Sequence, residues 1–167
     1  MAEISSPKPF GNLTAITSID GRFRGRVEEI SNYFSEYATI KGRVFVEIEY
    51  LIAFLERINK PLKKTEISTL RKIASVFNQR DAEIIWKKDE EINHDTKAVE
   101  YFLGGRLREI GLDSLINYLH FGLTSTDVDN TALALSLKDF CDHFFFPKLN
   151  QLVSQLKKMA NEQRNLV

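Results

Sequence analysis

From Thr124 almost to the last residue, a single helical pattern runs on with only Pro147 in its way. Val128, Ala132, Leu135, Phe140, Phe144, Leu149, Leu152, Leu156 and Met159 line it, which predicts one very long helix with an apolar stripe. Thr124 and Ser125 offer caps at its start, and Asp127 and Asp129 put negative charge at the positive end of its dipole. Pro147 removes a donor and should kink the helix or interrupt it locally. So long a stripe has too little remaining chain to be buried against. Partner helices are therefore expected from outside these residues, either from a continuation of the chain or from other subunits. The closing residues, MANEQRNLV, stop in mid-pattern with no cap signal, and are expected to be part of a helix that continues.

Upstream the period is also helical. Ile40, Val44, Ile48, Leu51, Leu55 and Ile58 recur every three or four residues, predicting a helix from about Ser35 to about Asn59 that Pro61 closes. Thr65 is the expected N-cap of a second, with Ile67, Leu70, Ala74 and Phe77 on one face until Asn78 and Gln79. A third is expected to begin at Asp95, whose carboxylate would cap the first turn. Val99, Phe102, Leu103, Leu107 and Ile110 follow before Gly111 stops it. No strand pattern, internal repeat or low-complexity segment is evident. The expected fold is all-α, a compact helical N-terminal domain over 1–113 followed by the beginning of a long-helix bundle over 114–167.

The 167 residues carry 23 Lys+Arg against 23 Asp+Glu, so the formal net charge is zero. That balance excludes a nucleic-acid binder working through bulk charge. No stretch approaches the roughly 18 apolar residues of a membrane span, and MAEISSPKPF lacks the features of a secretory signal, so a cytoplasmic location is expected. Cys141 is the only cysteine, which rules out an intrachain disulfide and a four-cysteine zinc site. The Asn12-Leu13-Thr14 sequon then reads as chance.

Three polar clusters lie at turns, away from the apolar stripes. The first, Ser18 to Arg26, sets Arg22, Arg24 and Arg26 beside Gly21. Guanidinium forks and free turn amides suit a phosphate or carboxylate, although solvated surface arginines would look the same. The second, Asn93-His94-Asp95, opens the third helix, where unpaired amides accept anions and His94 adds a titratable donor. The third runs from His120 through Thr124 and Ser125 to Asp127, a hydroxyl-bearing turn into the long helix. Plain helix capping accounts for most of the last two clusters, but not for His120. His94, His120 and His143 have no metal-ligand spacing, and His143 reads as a packing or surface histidine. No GxSxG, GxxxxGK[ST] or GxGxxG occurs.

In order, spacing and wording, the clusters together resemble the N-terminal part of the adenylosuccinate lyases, a family of the fumarase/aspartase superfamily. The resemblance runs from Leu13-Thr14-Ala15-Ile16 through Asp20-Gly21-Arg22-Phe23 and Phe34-Ser35-Glu36-Tyr37 to Thr124-Ser125-Thr126-Asp127. Its most specific part is Asn93-His94-Asp95-Thr96-Lys97-Ala98-Val99-Glu100-Tyr101-Phe102-Leu103. It implies an all-α superfamily fold and cleavage of a C–N bond by β-elimination, giving AMP and fumarate from adenylosuccinate and AICAR and fumarate from SAICAR in purine biosynthesis. It implies no cofactor and no metal, a small-molecule substrate, no nucleic-acid or membrane partner, and a homotetramer with sites assembled from three subunits.

Residue by residue, the resemblance implies that Arg22 and Phe23 bind the nucleotide, with Arg22 at the phosphate. Many relatives carry Tyr where Phe23 stands. Asn93, His94 and Asp95 are implied as a second substrate-binding triplet, Thr124 and Ser125 as the hydroxyl pair that receives the succinyl portion, and His120 as a weaker candidate. The family's general-acid histidine, in a Thr-His-Gly-Gln motif, and its base serine, in Ser-Ser-x-Met-Pro, are not among these residues. They are expected beyond Val167, so that this segment alone is inactive. Two other readings stay open on the sequence: another lyase of the superfamily, and a non-catalytic helical module that associates through its long helix.

Overall fold

The computed structural model describes residues 15–164. The Asn12-Leu13-Thr14 sequon, the Leu13-Thr14 part of the resemblance and the last three residues lie outside that range. The described residues are helical without a strand, as the patterning predicts. A short helix α1 (Ser31–Phe34) leads into α2 (Glu36–Arg57), α3 (Lys64–Ser75), α4 (Gln79–Ile92) and α5 (Asp95–Glu109). A 3-10 turn over Asp113–Tyr118 then leads to α6 (Ser125–Phe140), a π-helical turn over Cys141–Phe145, and α7 (Phe146–Glu162).

The core is built around α2. Ser35 caps it by accepting from the Ala38 amide at 3.2 Å, and the expected stripe Ile40, Val44, Ile48, Leu51 and Leu55 is buried against Leu70, Ile85, Val99, Leu103 and Leu107. Burying each such side chain contributes about 1.5–3 kcal/mol. Polar ties fix the helices around this core. Arg71 of α3 grips Glu49 of α2 through two 2.7 Å bonds, and Arg106 of α5 donates to buried Asp81 of α4 at 2.6 Å.

The structure corrects three local expectations. Thr65 is not a cap: α3 begins one residue earlier, and the Lys63 amide is met by Glu66 reaching back at 2.7 Å. Asp95 does not cap α5: His94 is the N-cap, its Nδ1 accepting from the Lys97 amide at 3.2 Å. A whole helix, α4, is absent from the periodicity reading. Its 14 residues bury only Asp81, Ala82 and Ile85, too few apolar positions to show a stripe among so many charges.

Pro147 acts as expected. Lacking an N–H, it cannot bond back to the turn before it, and that turn widens into the π segment over Cys141–Phe145 instead of breaking.

Candidate functional site

The second and third polar clusters meet on α2. Asn93 ends α4 in the left-handed region at φ 51, a conformation asparagine tolerates, and turns the chain straight into α5 with exposed His94 as cap. Asp95 follows. Its Oδ1 accepts from the Thr96 amide at 2.7 Å, and its Oδ2 accepts from Arg43 at 2.5 Å. The other arm of the same guanidinium donates through Nε to Asp129 of α6 at 2.6 Å. Arg43 itself is buried, so one fork ties the start of α5 and the start of α6 to the middle of α2.

The turn into α6 is held at several points. Tyr50 of α2 donates to the Phe121 carbonyl at 2.7 Å, and His120 Nδ1 lies 2.5 Å from Oε1 of Glu47, one helical turn along from Arg43. His120 takes φ 54, and Gly122 after it φ 76. Thr124 then caps α6. Its amide and hydroxyl both donate to Asp127, at 2.8 and 2.9 Å, and these two bonds hold the Asp127 carboxyl below the ordinary carboxylate range. The α5 amides of Thr96 and Lys97 are occupied by Asp95 and His94. At α6 no protein acceptor meets the Ser125 and Thr126 amides among the described residues. The α6 start is thus the more open end for an anionic group.

The first cluster stands apart. Gly21 is buried in a tight turn in which the Phe23 amide donates to the Ser18 carbonyl at 2.9 Å. Arg22 and Arg26 each stack over the Phe23 ring at 5.4 Å. Among the described residues no hydrogen bond or ion pair joins Arg22 or Phe23 to the clusters at His94 or Thr124. His143 is exposed and bonds back to the Asp139 carbonyl at the end of α6, at 3.1 Å. No group of three metal-ligating side chains forms among the described residues.

Arg43 and Glu47 escape sequence reading. They sit one residue before Val44 and Ile48 on a helix face that an i,i+4 pair of opposite charges would equally occupy in solvent. Their only signal is adjacency to the stripe.

Comparison with known proteins bears on most of the chain. The profile of a family described as Lyase matches residues 21–167. An adenylosuccinate lyase of Dictyostelium discoideum is 40% identical over 163 residues, covering 93% of this chain and 35% of its own length. Those of Escherichia coli K12 and Haemophilus influenzae are 35% and 33% identical, over 93% and 92% of this chain. The chain spans about a third of the length of the curated relatives it matches.

Proposed function

The chain belongs to this lyase family, and from that membership we propose that it is the substrate-binding N-terminal part of an adenylosuccinate lyase. The reaction is cleavage of the C–N bond of adenylosuccinate, and of the corresponding succinyl-carboxamide ribotide, with release of fumarate. A base takes the proton from the carbon next to the one bearing nitrogen, the electron pair forms the new C=C bond, and the leaving nitrogen takes a proton from an acid. Developing charge on the substrate carboxylate calls for fixed donors in place before the reaction.

The observation that carries the reading is that Arg43, through Asp95 and Asp129, ties together the starts of the two helices that follow the turns with the family wording, Asn93 to Asp95 and Thr124 to Asp127. In this reading Ser125 and the open α6 amides receive a carboxylate of the succinyl portion, joined by the Thr124 hydroxyl when it turns from Asp127 to the substrate, and His94 approaches the substrate from the turn before α5. Asp95, engaged with Arg43 and the Thr96 amide, holds geometry rather than ligand. Arg22 takes the phosphate, and Phe23, beside the guanidinium groups of Arg22 and Arg26, offers its ring to the nucleotide without a hydroxyl.

The general acid and base come from elsewhere in the complete polypeptide, and Arg22 belongs to a site completed by other subunits of a homotetramer. The unit up to about Asp113 is the N-terminal domain, and the rest opens the central bundle. No helix among the described residues is long and apolar enough to cross a membrane, and we place the enzyme in the cytoplasm, in purine biosynthesis.

The test is fumarate release from adenylosuccinate by the complete protein, with Arg22→Ala raising KM about tenfold or more. Absence of turnover overturns the reading. Turnover of argininosuccinate instead assigns the chain to another lyase of the same superfamily. An unchanged KM removes Arg22 from the site.

A further inference from the structure

Glu47 is a carboxyl group with no exposure, and its Oε2 has no hydrogen-bond partner. Its Oε1 meets Nδ1 of His120 at 2.5 Å. The imidazole is 15% exposed, and its Nε2 makes no bond among the described residues, so Nε2 is the nitrogen left for a ligand. His120 lies in the turn that leads into the Thr124 cap, in the left-handed backbone region that a bulky residue occupies only when its surroundings hold it there.

Charge decides what that nitrogen can do. Burial pushes the Glu47 carboxyl up, Glu100 on α5 adds to the rise, and His120 opposes it. A lone negative charge at zero exposure with one oxygen unpartnered is costly, so the pair keeps its net charge at zero. Two arrangements achieve this without a proton on the unpartnered Oε2. A carboxylate can accept from Nδ1–H of an imidazolium, or a carboxylic acid can donate to Nδ1 of a neutral ring. Both leave a proton on Nε2. Nε2 is bared as an acceptor in two other cases: a carboxylate beside a neutral ring, which leaves the buried pair net negative, and a carboxylic acid accepting from Nδ1–H, which would put its own proton on Oε2, where it has no partner.

We propose that Glu47 is a positioning residue that fixes His120 so that its Nε2–H is a donor, not a base, aimed at the carboxylate bound by Thr124 and Ser125. This rests on the adenylosuccinate lyase reading above and assigns within it a role to a residue that touches no substrate. The role of His120 follows: it strengthens binding of the succinyl carboxylate and takes no part in moving the proton from carbon.

The experiment is steady-state kinetics on the complete enzyme with adenylosuccinate, comparing wild type, Glu47→Leu, Glu47→Gln, His120→Asn and the two double variants. Turnover by wild type tests the lyase reading separately; without it both that reading and this inference fall. Given turnover, Glu47→Leu is expected to raise KM about tenfold with kcat changed less than about threefold. Glu47→Gln, which keeps the volume and one bond to the ring, should recover most of that loss. In the His120→Asn background neither Glu47 substitution should raise KM further, because Glu47 acts through His120. Additive losses overturn the proposal, as does an unchanged KM in folded enzyme. A loss confined to kcat would make His120 a base and overturn it equally. Should Glu47→Leu fail to assemble, Glu47→Gln and its double variant decide by the same criteria.

Discussion

Helices α2 and α7 carry the same kind of apolar stripe and meet opposite fates. On α2, Val44, Ile48, Leu51 and Leu55 are at most 1% exposed. On α7, Leu149, Leu152, Leu156 and Met159 are 41–56% exposed, and none of its residues is buried. The changeover falls along α6. Val128 and Ala132 pack into the body, and Ala132 sits where a Cβ on Gly42 would come within 3.1 Å, a close helix crossing. Beyond them the α1 rings Tyr33 and Phe34 hold Phe140 at 5.6 and 5.1 Å, and past that aromatic patch the stripe has no cover among the described residues. Identical periodicity marks a face that must be buried. It does not say which chain buries it.

Four measurements would sharpen or break that contrast. The largest effect is expected on α2: Leu51→Ala should lower the unfolding free energy by about 3 kcal/mol in urea denaturation, the cost of a buried leucine plus its cavity. Next, Arg43→Met should cost about 2 kcal/mol, because it leaves Asp95 and Asp129 without their shared cation while both keep some water. A loss as large as that of Leu51→Ala would mean the fork, rather than the apolar stripe, holds α5 and α6 on α2.

A smaller effect concerns Asp127. Its carboxyl titrates lower in the folded state than in the unfolded chain, so its bonds to Thr124 add stability above about pH 4 and lose it as pH falls through the lowered value. Asp127→Asn should flatten that acid limb of a stability-against-pH curve; an unaltered limb would show that the Thr124 cap contributes nothing measurable. Last, Leu152→Gln with Leu156→Gln should change the stability of the 167-residue chain by less than about 0.5 kcal/mol. The same pair should reduce its self-association in light scattering. A loss comparable to that of Leu51→Ala would mean α7 is buried within this chain after all.

Most of the helical frame was legible beforehand. Helix α2 starts within a residue of Ser35, Thr124 caps α6, Gly111 ends α5 at φ 72, and Pro147 perturbs the turn before it. Helix α4 was not legible, because a helix lying on the surface with three buried residues has composition but no period to display. At α3 and α5 the obvious capping residues, Thr65 and Asp95, lie inside their helices, because the N-terminal amides found a glutamate and a histidine instead. In the candidate site, Asn93 to Asp95 and Thr124 to Asp127 could be picked out by residue type, but nothing in their spacing announced that one arginine would join them.

Residue order alone determined the all-α class, the α2 stripe and the unsatisfied stripe of α6 and α7, since each is a matter of which side chains recur on one helical face. Only the tertiary structure decided the partners of Arg43 and the pairing of Glu47 with His120, across 73 positions of sequence. A charged residue on a helix reads the same whether it faces water or a neighbouring helix. What distinguishes the two is the packing of the helices around it, which removes water from Glu47 and makes the ring of His120 its hydrogen-bonding partner.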